Sequence, residues 1–159
     1  MKLEQNAIVA LGSNLGVSER LVGEAIARLR ELSTAPLKVS SLRRTDPLDC
    51  PPGSPPFINA VALLAPFPDE TPESLLVKLQ ELERKFGRQP KRVLNEPRPL
   101  DLDLISFRNE TRNTPALTLP HPRAHLRRFV LEPLAELAPD LVLPGQTLSV
   151  SRLLQALAK

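Results

Sequence analysis

The chain has 159 residues, a formal charge of +3 and a sequence pI near 9.4, enough for one domain with a proper core. It contains no run of about 18 apolar residues, so no membrane span is present. Met1-Lys2-Leu3-Glu4-Gln5-Asn6 lacks the apolar stretch of a signal peptide, and the single cysteine, Cys50, forbids an internal disulfide. The expectation is a single domain over residues 1–159, cytoplasmic and monomeric, with no membrane or nucleic-acid partner. Its 18 prolines, against an average usage of about 5%, fall mainly between the periodic segments and stiffen loops.

In chain order, Ala7 to Leu11 reads as a short apolar strand ending at Gly12-Ser13-Asn14-Leu15-Gly16. That glycine-bounded segment lacks both a Gly-Lys-Ser/Thr and a third dinucleotide-type glycine, so it reads as a tight strand-to-helix turn. Ser18 then caps a helix with the stripe Leu21, Val22, Ala25, Ile26, Leu29 and Leu32. Val39 to Arg44 is a second strand, and a turn-rich stretch from Asp46 to Pro56 leads to a third, Phe57 to Leu64. Thr71-Pro72-Glu73 opens a second helix with a cap, a first-turn proline and an acid at the positive dipole end. Its stripe is Leu75, Leu76, Leu79, Leu82 and Phe86, with Gly87 as the stop.

A basic loop from Arg88 to Pro97 enters the most informative segment, Arg98-Pro99-Leu100-Asp101-Leu102-Asp103-Leu104-Ile105. Leucines alternating with acids read as a strand with both carboxylates on one face. Ile105 and Phe107 are expected further along that face. Two like charges repel unless something positive lies between them, and hard divalent cations bound to phosphates are held by such carboxylates. The bland alternative is a solvated edge strand. The order β-α-β-β-α-β is the α+β, ferredoxin-like split-βαβ pattern: an antiparallel sheet with both helices on one face. A C-terminal helical extension follows, with a stretch around Phe129 to Leu137 and an amphipathic turn through Leu153, Leu154 and Leu157.

Several polar residues allow two readings. His121, between two prolines, is either a hydrogen-bonded structural histidine or a functional one; zinc is disfavoured because His and Cys form no ligand cluster. Asn59, inside an apolar strand, either bonds a neighbouring loop or offers its paired donor and acceptor to a heterocycle edge. Gln80 and Glu83 share a helix face toward the basic loop, which could equally be solvated. Phe57 and Phe129 lie beside the polar motifs in a chain with five Phe and no Tyr or Trp.

Taken together these segments resemble the hydroxymethyldihydropterin pyrophosphokinase family of folate biosynthesis. The resemblance is carried by Ala10 to Gly16, Phe57-Ile58-Asn59-Ala60, Leu82 to Arg88, Pro97 to Ile105, Leu119-Pro120-His121-Pro122-Arg123, and Arg127 to Leu134. It implies transfer of pyrophosphate from ATP to the hydroxymethyl group of a reduced pterin, with release of AMP. By resemblance, Asp101 and Asp103 hold two Mg²⁺ ions with ATP, and Arg88 and Arg98 act on the phosphates in catalysis. Gln80, Glu83, Thr118, His121 and Arg127 fall on ATP-site positions. The pterin edge is assigned to Asn59 with backbone groups around Thr45, Pro47 and Leu48, and the ring to a sandwich of Phe57 and Phe129. Departures occur at Asn95, Ala116 and Pro122, and Pro90 stands where a loop arginine is usual; Arg92, with its fork, is expected to take over that ATP contact ahead of Lys91. Two rivals are a catalytically inactive pterin- or nucleotide-binding module and an RNA-binding ferredoxin-like domain. The RNA-binding reading suffers from scarce aromatics and from acids that would repel a phosphate backbone.

Overall fold

Residues 2–14, 18–45, 56–87 and 100–157 are described by a computed structural model. The elements are β1 (Ala7–Ser13), α1 (Ser18–Arg30), β2 (Lys38–Val39), β3 (Arg43–Thr45), β4 (Phe57–Leu64), α2 (Pro72–Lys85), β5 (Asp101–Phe107), β6 (Arg112–Asn113), β7 (Thr118–Leu119), α3 (Arg128–Leu137) and α4 (Val150–Leu157). The main sheet has the order β2-β4-β1-β5, with β3 also on β4, and every pairing is antiparallel. This is the expected βαββαβ core.

The two faces of the sheet bury different helices. Val9, Leu11, Ile58, Ala62, Leu102 and Leu104 pack with Val22, Ala25 and Leu29 of α1 and Leu75, Leu79 and Leu82 of α2. Ile8, Ala10, Val61, Leu63 and Ile105 pack instead with α3 and α4 through Val130, Leu131, Leu134, Val150 and Leu153. Strand side chains alternate between faces, so β1 and β4 must be apolar on both, and their burial is nearly continuous.

Local chemistry explains the boundaries. Thr71 Oγ1 accepts the amide of Ser74 at 3.0 Å and Ser74 Oγ accepts the amide of Thr71 at 2.9 Å, a reciprocal cap on α2. Pro72 occupies its first turn, and Gly87 (φ 90°) ends the segment in a conformation open to glycine. The side chain of Ser18 is outside the described residues.

Three expectations are corrected, and a fourth feature is added. β1 runs on to Ser13, so Gly12 lies in the strand and not in a turn. The second strand is split in two, because Ser40 donates its amide to Val61 O at 2.9 Å while its hydroxyl accepts the Val61 amide at 3.0 Å. The hydroxyl replaces a carbonyl of the ladder, and the main chain turns out before pairing resumes at Arg43. In β5, Val9 pairs with Leu104 but Ile8 with Ser106, so Ile105 is an extra residue. That bulge moves Phe107 off the face of the aspartates and buries it in the α1/α2 cluster. The fourth is the β6–β7 hairpin, unanticipated, closed by Thr114: its hydroxyl accepts the Leu117 amide at 3.1 Å and its own amide donates to Leu117 O at 3.0 Å.

Candidate active site

Strand register brings the expected residues into one row. Gly12 of β1 lies opposite Asn59 of β4 on one side and opposite Asp101 of β5 on the other, and Asn59 lies opposite Arg43 of β3. Directly opposed residues project from the same face, so Arg43, Asn59, Gly12 and Asp101 line up across four strands. The adjacent row on that face is Val61, Ala10 and Asp103. Asn59 and Asp101 are thus two strand spacings apart, roughly 10 Å between backbones. Both stand at one end of the face covered by α3 and α4.

Gly12 keeps the space between them open. A Cβ there would meet Asn59 Oδ1 at 3.1 Å, tighter than an ordinary contact. Asn59 is only 6% exposed, and its Nδ2 donates to Thr45 Oγ1 at 2.8 Å. Thr45 pairs with Phe57, two residues before Asn59 on the same face. Thr45, Phe57 and Asn59 therefore form one polar-aromatic patch at the edge of the sheet. Phe129, in the first turn of α3, is exposed, and α3 packs over β4 on this side.

Asp101 and Asp103 are half-buried, while Leu102 between them is buried on the opposite side. Glu83 reaches from α2 to the outer edge of β5, where its Oε2 accepts the amide of Leu102 at 2.8 Å. Of the two α2 polar residues, Glu83 is buried at 9% exposure and Gln80 is exposed. Glu83 thus touches the strand between the two acids, which the helical pattern alone did not distinguish from a solvated position.

The bulge ties a second segment to the acids. The carbonyl of Ile105, the extra residue of β5, accepts the amide of His121 at 2.8 Å. His121 Nδ1 in turn accepts the Arg123 amide at 3.2 Å, so the neutral imidazole carries its proton on Nε2. Burial lowers the His121 pKa from its ordinary value, and Arg127 and Arg123 lower it further, while Asp101 opposes them. Arg127 Nη1 lies 4.0 Å from Asp103 Oδ2, and its guanidinium stands 5.4 Å from the centre of the Phe129 ring. His121, Arg127, Asp101 and Asp103 therefore form one charged cluster. Thr118 is exposed on β7.

The donor set suits a hard cation shared with phosphate oxygens. Among the described residues no group of three or more His, Cys, Asp or Glu could hold a metal by itself. Two carboxylates on one face are the protein share that magnesium takes when phosphates and water complete its shell. Pro47, Leu48, Arg88, Arg92 and Arg98 lie outside the described residues, as do the loops that carry them. No helix among the described residues is long and apolar enough to cross a membrane.

Comparison with known proteins identifies the family. The sequence profile of the 7,8-dihydro-6-hydroxymethylpterin-pyrophosphokinase (HPPK) family matches residues 8–139. The 2-amino-4-hydroxy-6-hydroxymethyldihydropteridine pyrophosphokinase of Haemophilus influenzae is 39% identical over 140 residues, covering 87% of this chain and 85% of that protein. The protein of the same name from Pseudomonas aeruginosa is 40% identical over 141 residues, covering 88% and 85%. A solved structure described as HPPK-DHPS in complex with substrates superposes with a TM-score of 0.69 at 11% identity, over 96% of this chain and 43% of that one. The last likeness concerns the fold alone. The chain belongs to the 7,8-dihydro-6-hydroxymethylpterin-pyrophosphokinase family and is a diphosphotransferase of folate biosynthesis.

Proposed function

We propose that this chain moves the β,γ-pyrophosphoryl unit of ATP onto the hydroxymethyl oxygen of 6-hydroxymethyl-7,8-dihydropterin. The alcohol oxygen attacks the β-phosphorus, the bond from that phosphorus to the oxygen bridging to the α-phosphate breaks, and AMP leaves with that oxygen. The hydroxyl proton passes to solvent. The observation that supports this reading is the row Asn59–Gly12–Asp101, a buried side-chain amide and a carboxylate on one face with a side-chain-free position between them.

Some roles are supported by the surroundings of the residue and others by family resemblance. Asn59, oriented by its bond to Thr45, presents Oδ1 and its second amide hydrogen to the pterin edge, and Phe57 and Phe129 supply ring contacts. Asp101 and Asp103 would hold two Mg²⁺ ions together with ATP, which would neutralise triphosphate charge and align the attacking and transferring oxygens. Arg127 and the Nε2–H of His121 are donors for phosphate oxygens beside the acids. Arg88, Arg92 and Arg98 are assigned further phosphate contacts and Gln80 and Thr118 the remaining ATP contacts, by family resemblance. Glu83 holds the strand between the acids.

The test is turnover with Mg-ATP and 6-hydroxymethyl-7,8-dihydropterin, resolving nucleotides by chromatography. AMP formed in equal amount to pterin diphosphate is expected. ADP as the product, or nucleotide release independent of pterin, would overturn the reading, and an inactive binding module would bind both ligands and release neither product.

A further inference from the structure

Arg43 stands directly opposite Asn59 in the sheet, yet its guanidinium is spent on a different element. Its Nη1 donates to Glu132 Oε1 at 2.9 Å and its Nη2 to Glu136 Oε1 at 2.9 Å, both on α3. Glu136 is gripped a second time from the same sheet edge: Oε2 accepts the Ser41 amide at 2.8 Å and Oε1 the Ser41 hydroxyl at 2.7 Å. Glu132 lies three residues after Phe129, one helical turn further along the same face. A path therefore runs from Asn59 through its strand partner Arg43 to Glu132, and along α3 to Phe129.

The rest of α3 is anchored by apolar packing through Val130, Leu131 and Leu134, which tolerates small slides and rotations better than directed polar contacts do. The Arg43, Glu132 and Glu136 side chains are about one-third exposed, at 33%, 39% and 34%. Ion pairs at that exposure add little to stability. A planar guanidinium engaging two carboxylates a helical turn apart is directional, however, and fixes where the helix sits against the strand.

We propose that Arg43 is a positioning residue that sets the separation between Asn59 and Phe129, and with it the width of the pterin slot, by clamping α3 through Glu132 and Glu136. This rests on the assignment of Asn59 and Phe129 to the pterin. It goes beyond that assignment by giving specificity for the pterin a remote determinant that touches neither substrate.

The experiment compares Arg43→Gln, Glu132→Gln and the double variant with the parent enzyme, and uses Asn59→Ala to probe the slot directly. Steady-state kinetics give the two Michaelis constants and kcat, and thermal melts give stability. Arg43→Gln is expected to raise the Michaelis constant for pterin about fivefold or more, with that for ATP changed less than about twofold. Glu132→Gln is expected to act in the same direction, and the double variant to be close to Arg43→Gln alone, because the bond between Arg43 and Glu132 is already lost there. Arg43→Lys, which keeps the charge but not the fork, should fall between, and it carries the comparison if Arg43→Gln fails to fold. An unchanged pterin constant in the Arg43 variants, with a raised one in Asn59→Ala, overturns the clamp and leaves the slot standing. Unchanged values in all of them overturn the slot and the clamp together. Parallel loss of melting temperature and of both substrate affinities marks a purely structural ion pair and also overturns the clamp.

Discussion

Glu83 Oε2 accepts the amide hydrogen of Leu102 at 2.8 Å, so a carboxylate from α2 grips the backbone midway between Asp101 and Asp103. β5 is the outer strand of the sheet, and an unmet amide there would sit beside a buried leucine. The contact fixes the rotation of the strand and hence the direction of both acids. Glu83→Ala removes the acceptor from a buried amide, and the loss of such a partner costs about 1–3 kcal/mol. Glu83→Gln keeps an oxygen acceptor. Urea unfolding is expected to show Glu83→Ala destabilised by about that amount, with Glu83→Gln much closer to the parent. Turnover should follow the same order, and equal stability of the alanine variant and the parent would remove Glu83 from this role.

Asp101→Asn and Asp103→Asn each take one charge from a pair that repels itself across two residues. Neither change empties a core position, since both side chains are half-buried at the open end of the face. The fold should therefore survive with a melting temperature near that of the parent. Turnover should fall by several orders of magnitude, because charge neutralisation by bound cations is worth several kcal/mol in the transition state. A variant that kept near-parental turnover, with no greater need for magnesium than the parent, would defeat the cation assignment.

Much of this arrangement is legible in the sequence alone. The bounds of β4, the Thr71-Pro72 start and Gly87 stop of α2, and the placing of two acids on one face of a strand all follow from local chemistry: period, capping and turn residues. What escaped was set by partners far along the chain. The split after Val39 depends on the Ser40 hydroxyl finding the Val61 amide, and an isolated Ser-Ser pair carries no signal for that. The bulge at Ile105 depends on the pairing with β1, so the displacement of Phe107 could not be seen from alternation. Gly12 reads as turn chemistry because glycine is ambiguous between a turn and a close approach; only the register with Asn59 decides it. Nothing local in the sequence joins Arg43 to Glu132 and Glu136, about ninety residues further along the chain.

Gly12→Ala is the smallest change that tests the row across the sheet. Glycine is not required there by a left-handed backbone, so alanine is compatible with the strand and even favours it. Its Cβ, however, arrives 3.1 Å from Asn59 Oδ1. Either the amide gives way, disturbing its bond to Thr45, or β1 and β4 separate slightly. Pterin affinity measured by calorimetry is expected to drop severalfold while ATP affinity holds, with a melting temperature near the parent value. Unchanged pterin affinity would show that Asn59 can shift without consequence and that its aim does not matter.

His121 gives the fold a specific acid sensitivity. Burial and the cations Arg127 and Arg123 hold its pKa below the ordinary value near 6.5, with Asp101 acting the other way. Below about pH 6.5 an unfolded chain takes up a proton on this imidazole more readily than the folded one does. Protonation then favours the unfolded state, so the stabilisation is present in full above about pH 6.5 and is lost as pH falls from there through the lower folded value. His121→Gln cannot titrate, yet its side chain retains an oxygen able to accept the Arg123 amide in place of Nδ1. Denaturant midpoints measured from pH 7.5 down to pH 5 should therefore fall more steeply for the parent than for His121→Gln. Parallel slopes would mean that folding leaves the affinity of this imidazole for a proton unchanged. The same variant should bind ATP less well at pH 7.5, because the Nε2–H beside Arg127 is replaced by a differently placed amide.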